Sequence, residues 1–217
     1  MNILIIGLGS IGQRHLRNLK LVEPNSNFFA IRKKNNVPLL NNLNKVLKSD
    51  IKKKYLLTYF QSLSEIYKKK IKIDCAFVCT PSSMHISQVK ELLKYKIPCF
   101  IEKPLGSSLR GIADLEKLLK KKHINTMMGY QFRFNPIIIY LEKVLKQKSP
   151  IGKIIAAQIY HGENIEDFHP YEDYKISYAA NKNLGGGVIL SQIHELDYFL
   201  HLFSDYKIEK FIQLNKV

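Results

Sequence analysis

The stretch from Asn2 to Gly12, NILIIGLGSIG, leaves this chain few folds to choose from. A short apolar run rich in branched residues reads as a buried parallel strand. Glycines follow at positions 7, 9 and 12, and IGQRHLRNLKLV then carries helical spacing through Ile11, His15, Leu16 and Leu19. Strand, glycine turn and helix in that order open a βαβ unit. Gly7 permits the tight turn, Gly9 lets the backbone approach a pyrophosphate, and Gly12 lets the helix pack on the strand. The helix start, with Ser10 and Ile11, then offers free N–H groups and a positive dipole end to an anion. The pattern predicts a dinucleotide site.

The alternation continues. NFFAIR, YLLTYF, IDCAFVCTP, IPCFIE and INTMMGY read as further strands. Between them, VPLLNNLNKVLK, SLSEIYKKK, SMHISQVKELLKYK and a stretch from about Leu109 to Lys121 read as helices, two of them with serine caps. Strands alternating with helices imply an α/β fold with a doubly wound parallel sheet. After a connecting helix, FNPIIIYLEKVLKQK, the texture changes. GKIIAAQIYHG reads as a longer strand, 162–183 as a polar, aromatic loop, LGGGVILSQIHELDYFLHLF as a glycine-led helix, and IEKFIQLN as a last strand. The expected division is a Rossmann domain over 1–128 and a partial, α+β substrate domain over 129–217.

Composition narrows the function classes. No apolar run approaches the roughly 20 residues of a membrane helix. The N-terminus lacks the basic region and cleavage site of a secretory signal, so the expected location is the cytoplasm. Cys75, Cys79 and Cys99 lie in strand-like runs and read as reduced core thiols. The net charge of +16 invites a nucleic-acid reading, but arginine occurs only at 14, 17, 32, 110 and 133. Arginine is the preferred reader of base edges and phosphates. Lysines 52–54, 68–70 and 120–122 fall on helix exteriors or last turns. The excess therefore reads as a compositional bias, whose field would still favour an anionic substrate such as a phosphorylated sugar or nucleotide-sugar, and no nucleic-acid or membrane partner is expected.

Further site residues cluster at strand ends. NAD-preferring enzymes usually carry a carboxylate at the end of the second strand; here stand Arg32, Lys33 and Lys34, so NADP is favoured over NAD. Thr80, Pro81 and His85 follow the strand IDCAFV, where such sheets bind ligands, and His85 in the first helical turn is expected to be neutral. Glu102 and Lys103 end the strand IPCFI on the same edge. Pro104 restrains the backbone, so Lys103 is aimed at the crevice, where it suits proton shuttling or holding a substrate hydroxyl. HELDY is not the H-E-x-x-H zinc signature, because its fifth residue is Tyr198, and no metal is expected.

Taken together, GLGSIGQRH, TPSSMH, EKPLG, GYQFRFNP and LGGGVILSQIHELDY resemble the glucose-fructose oxidoreductase, inositol dehydrogenase and rhizopine-catabolism (Gfo/Idh/MocA) family of NAD(P)-dependent oxidoreductases. The resemblance implies hydride transfer between nicotinamide and a hydroxyl or keto carbon of a sugar, cyclitol or nucleotide-sugar. The HPYEDY variant is similar to members of surface-glycan sugar synthesis. It further implies that Lys103 contacts substrate and nicotinamide and that His194 accepts the proton. Tyr130, Arg133, Asn135, Asp173 and Ser191 are expected to complete the substrate site. Two departures stand out: Ser191 replaces an aspartate common among relatives, and Ser82 an asparagine. Family members are also longer, so the expectation is a chain truncated within its C-terminal sheet, which elsewhere often forms the oligomer interface. The alternative is a dinucleotide-binding protein without turnover: a sensor, partner subunit or remnant.

Overall fold

The computed structural model describes residues 1–32, 37–146, 152 and 154–203. The chain divides into two units, one of Met1–Gly129 with Glu163–Ser191, the other of Tyr130–Gly162 with Gln192–Val217.

The first unit is built on a six-stranded sheet. In chain order its elements are β1 (Asn2–Ile6), α1 (Ser10–Val22), β2 (Asn27–Ile31), β3 (Leu39–Leu40), β4 (Val46–Leu47), α2 (Ile51–Tyr55), β5 (Thr58–Phe60), α3 (Leu63–Lys68), β6 (Cys75–Val78), α4 (Ser82–Lys94), β7 (Cys99–Ile101), α5 (Ile112–Lys122) and β8 (Thr126–Met128). The sheet order is β5-β2-β1-β6-β7-β8, and every pair is parallel. This is the doubly wound dinucleotide-binding order, whose direction of winding reverses between β1 and β6.

Strand periodicity sorts the core. Ile3 and Ile5 face one layer with Leu16 of α1 and Ile51 of α2. Leu4 and Ile6 face the other with Ile66 of α3, Val89 and Leu92 of α4, and Leu115 of α5. Each such side chain, fully buried, contributes about 1.5–3 kcal/mol of transfer free energy. Cys79 and Cys99 are buried free thiols, and burial pushes the Cys99 thiol up to about 12.

Four local readings need correction. The helix expected over VPLLNNLNKVLK is instead the β3–β4 hairpin, because local polar bonds favour a turn. Asn41 Oδ1 accepts the N–H groups of Leu43 and Lys45, and Asn44 adopts φ 56°. Gln13, fully buried, accepts the Leu40 N–H and donates to the carbonyls of Leu8 and Pro38, tying the hairpin to the glycine loop. Next, α4 starts after Pro81 with no side-chain cap, so Ser82 is its first residue rather than its cap. By contrast, Ser62 caps α3 by accepting the Glu65 N–H, and Glu65 reaches back to the Gln61 N–H.

The second unit contains α6 (Pro136–Lys146) and α9 (Ile193–Leu202). Its third correction concerns GKIIAAQIYHG, where residues 154–162 form no strand. No neighbouring strand among the described residues takes up their N–H and C=O groups, and Ile155 is 98% exposed. The last expected strand, IEKFIQLN, lies outside the described residues. No described helix is long and apolar enough to cross a membrane.

The segment Glu163–Ser191 packs with the first unit. It holds α7 (Ile165–Phe168), short 3-10 turns at Tyr174–Ile176 and Lys182–Leu184, and α8 (Val188–Ser191). The single long helix read from LGGGVILSQIHELDYFLHLF is therefore two. Gln192, with φ −104° and ψ 35°, separates α8 from α9, and His194 lies at the start of α9.

Candidate active site

At the winding reversal, the glycine loop is shaped by contact. Gly7 has φ 99°, and a Cβ there would lie 2.6 Å from the Cys79 carbonyl oxygen. At Gly12 a Cβ would lie 2.0 Å from the Gly7 oxygen, so only glycine lets α1 meet the turn. Gly9 is exposed, with nothing within 4 Å of its Cβ position, which leaves open space over the start of α1. No acidic residue stands in the first turn of α1. Packing glycines, an open one and a helix start without an acidic residue together fit a pyrophosphate.

Around this loop the first unit gathers the other expected cofactor residues. Glu102, 7% exposed, meets the His15 ring with Nε2 to Oε1 at 2.6 Å. Its second oxygen accepts the Lys103 N–H. Phe77 and Phe100 flank the His15 ring at 5.5 and 4.9 Å between centroids. The pair thus bolts α1 to the end of β7. Sequence reading missed His15 as a site residue; its partner lies 87 positions away, and the only local signal was its place on the apolar side of α1.

His85 is 1% exposed, and both of its ring nitrogens face carbonyls, Nδ1 at Pro104 (2.8 Å) and Nε2 at Thr80 (2.7 Å). Burial lowers its pKa, against smaller upward pulls from those carbonyls and from Glu102. The ring clamps the turn after β6 to the turn after β7. Thr80 Oγ1 donates to Gln88, and Pro81 occupies the position just before α4. Lys103 precedes a cis peptide bond to Pro104, and its Nζ donates to the Ser191 carbonyl. The Ser191 hydroxyl is buried without a hydrogen-bond partner among the described residues. Arg32, at the end of β2, donates to the Tyr59 hydroxyl at 3.2 Å and lies over that ring. Lys33 and Lys34 lie outside the described residues. Asp173 accepts the Lys175 N–H and so caps the turn that follows it. Gly185 belongs to packing: a Cβ there would lie 2.0 Å from Ser82 Oγ.

The second unit, taken by itself, holds His194, Tyr130, Arg133 and Asn135. His194 is 8% exposed, with the Phe132 ring edge-on at 4.9 Å and the Tyr130 ring at 6.3 Å. Arg133 grips Asp197 with two bonds, Nε to Oδ2 at 2.9 Å and a terminal nitrogen to Oδ1 at 2.5 Å. Burial, then Asp197, raises the Tyr130 pKa. Asn135 Oδ1 accepts the Ile137 N–H at the start of α6. Asp197, which sequence reading passed over, is the carboxylate that orients Arg133; its signal was the spacing of HELDY, which puts positions 194, 197 and 198 on one helix face.

Residues 1–130 match the family described as an oxidoreductase family with an NAD-binding Rossmann fold, Gfo/Idh/MocA. The chain belongs to the Gfo/Idh/MocA family. A relative in this comparison, the 2,7-anhydro-N-acetylneuraminate hydratase of Escherichia coli (strain K12), is 29% identical over 146 residues, covering 66% of this chain and 37% of the relative. The chain spans about a third of the length of the curated relatives it matches, from 32% to 37%. Among solved structures, the WlbA (WbpB) dehydrogenase from Thermus thermophilus, in complex with NAD and alpha-ketoglutarate, aligns over 93% of this chain and 62% of its own. Its TM-score is 0.67 and its identity 18%. An NAD-binding protein from Listeria innocua aligns over 93% of this chain and 54% of its own, with TM-score 0.64 and 19% identity. At these identities the likeness is one of fold. As a Gfo/Idh/MocA member, the chain carries an NAD-binding Rossmann unit of an oxidoreductase family.

Proposed function

We propose that this protein transfers hydride between a nicotinamide dinucleotide and a hydroxyl or keto carbon of a sugar, cyclitol or nucleotide-sugar. The observation that carries the reading is the first unit's edge: the glycine loop, the His15–Glu102 pair and Lys103 all stand at the carboxyl ends of β1 and β7. The E. coli relative, named for a sugar-derived substrate, supports the sugar class. The nicotinamide, when bound, supplies the hydride acceptor or donor. Gly7, Gly9 and Gly12 with Ser10 and Ile11 hold its phosphates. Glu102 holds His15 and, through the Lys103 N–H, the start of the lysine turn. Lys103 orients the reacting hydroxyl and stabilises its developing charge. His194 takes its proton. Arg32 receives a 2′-phosphate, so NADP is preferred to NAD. Tyr130, Arg133, Asn135, Asp173 and Ser191 contribute to substrate binding, and surface-glycan sugar synthesis is the proposed setting.

The test is a panel of sugars, sugar acids and nucleotide-sugars with NADP and with NAD, following the absorbance of the reduced cofactor. Lys103→Ala and His194→Ala should each lower kcat by about 10²–10⁴ while leaving dinucleotide binding in place. Variants as fast as the wild type overturn the catalytic roles. Tight dinucleotide binding with no turnover on any substrate favours the binding protein without catalysis.

A further inference from the structure

The motif HPYEDY returns, in the structure, to the glycine loop. His169 stands between two groups of the first unit. Its Nδ1 lies 2.8 Å from Glu172 Oε1, and its Nε2 lies 3.5 Å from Ser10 Oγ. With Nδ1–H donated to the carboxylate, Nε2 is the nitrogen presented toward the start of α1. The ring plane is held by Phe168 and Tyr171, at 4.6 and 5.3 Å between centroids. Tyr171 also lies against Ser10. Burial raises its pKa first; the Ser10 hydroxyl and backbone N–H pull it down, and Glu172 pushes it up.

Ser10 is the first residue of α1; its N–H is among those that a helix leaves without an internal partner, and the Tyr171 hydroxyl accepts it here. A separation of 3.5 Å is at the outer limit of hydrogen bonding, so the imidazole makes no strong commitment to the Ser10 hydroxyl. The segment thus brings an oriented, weakly engaged imidazole to the point where the glycine loop receives phosphate. A ring fixed by a carboxylate on one nitrogen and offering the other is the usual arrangement of a histidine that binds through that second nitrogen. Among the described residues, the groups beside Nε2 are the Ser10 hydroxyl and the Tyr171 ring, while the Glu172 carboxylate sits on Nδ1.

We propose that His169, oriented by Glu172, is a binding residue for the pyrophosphate of the dinucleotide. The inference rests on the reading of the glycine loop as the dinucleotide site. Binding takes up one proton from solvent at Nε2, so that the ring, as imidazolium, donates to Glu172 on one side and to a pyrophosphate oxygen on the other. Tyr171 walls the same pocket. Chain residues 168–172 therefore supply a second face to a phosphate site whose first face is the start of α1.

Titration calorimetry of the full chain with NADH and with ADP-ribose, which keeps the pyrophosphate but lacks nicotinamide, tests this. His169→Ala should weaken both ligands by about tenfold or more and to a similar extent, the loss of a charge-assisted hydrogen bond. His169→Gln, which keeps a donor, should recover part of the loss, and Glu172→Gln should weaken both ligands by a smaller factor. These two conservative variants carry the test if the alanine variant does not fold. Unchanged affinity for both ligands overturns the inference. So does a loss confined to NADH, which places the histidine at the nicotinamide end, or a gain in affinity, which makes the segment an obstruction. A wild type that binds neither ligand sinks the dinucleotide reading itself, a result separable from the behaviour of the variants.

Discussion

Gly12 has the least room of the three glycines in the loop, with the Gly7 oxygen 2.0 Å from where a Cβ would stand. That oxygen is backbone and cannot swing aside, so Gly12→Ala must push α1 away from β1. The expected outcome is a loss of about 1–3 kcal/mol in stability, as in overpacked sites, together with at least tenfold weaker NADH binding. Denaturant unfolding and NADH titration measure the two; a variant with wild-type values in both removes the close-packing argument. The residue scale also separates what could be read locally from what could not. The glycines, Glu102 and Lys103 were legible because their chemistry depends on immediate neighbours along the chain. His15, Gln13 and Asp197 were not. His15 meets Glu102 across 87 positions and Asp197 meets Arg133 across 64, and no local pattern encodes such pairs.

Helix α3 shows how far an element can be specified by its own residues. Ser62 accepts the Glu65 N–H while Glu65 accepts the Gln61 N–H, so one unpaired donor of the helix start and the N–H just ahead of the cap are satisfied within five residues. Ser62→Ala should cost about 1 kcal/mol. A shift in the urea midpoint at unchanged slope measures it, and no shift means that solvent replaces the cap at no cost. The region 37–48 makes the opposite case. Its apolar spacing suited a helix, yet Asn41 folds its side chain onto the turn backbone and Gln13 holds the Leu40 N–H, so a hairpin forms. Likewise, the helical pattern over 188–202 is continuous in sequence, but the backbone breaks at Gln192. Periodicity measures which face is apolar; it does not report where a helix must turn aside to pack.

At the scale of the molecule, binding and folding are linked. A ligand that recognises only the folded first unit should stabilise it by about 2.7 kcal/mol when present at a hundred times its Kd. Thermal unfolding with NADH or NADPH should therefore rise with concentration, and the cofactor giving the larger rise at equal concentration reveals the preference. A larger rise with NADH removes the role proposed for Arg32, and no rise with either removes the dinucleotide site. The alternation of strands and helices over residues 1–128, the parallel sheet and the glycine loop were determined by the sequence alone, because buried strands, helix spacing and tight turns are written in short-range patterns. Only the tertiary structure decided that Glu163–Ser191 returns to the first unit, bringing His169 and Tyr171 to Ser10 and the Ser191 carbonyl to Lys103. A polar, aromatic segment carries no periodicity of its own, so its place is set by partners more than 80 residues away in the chain.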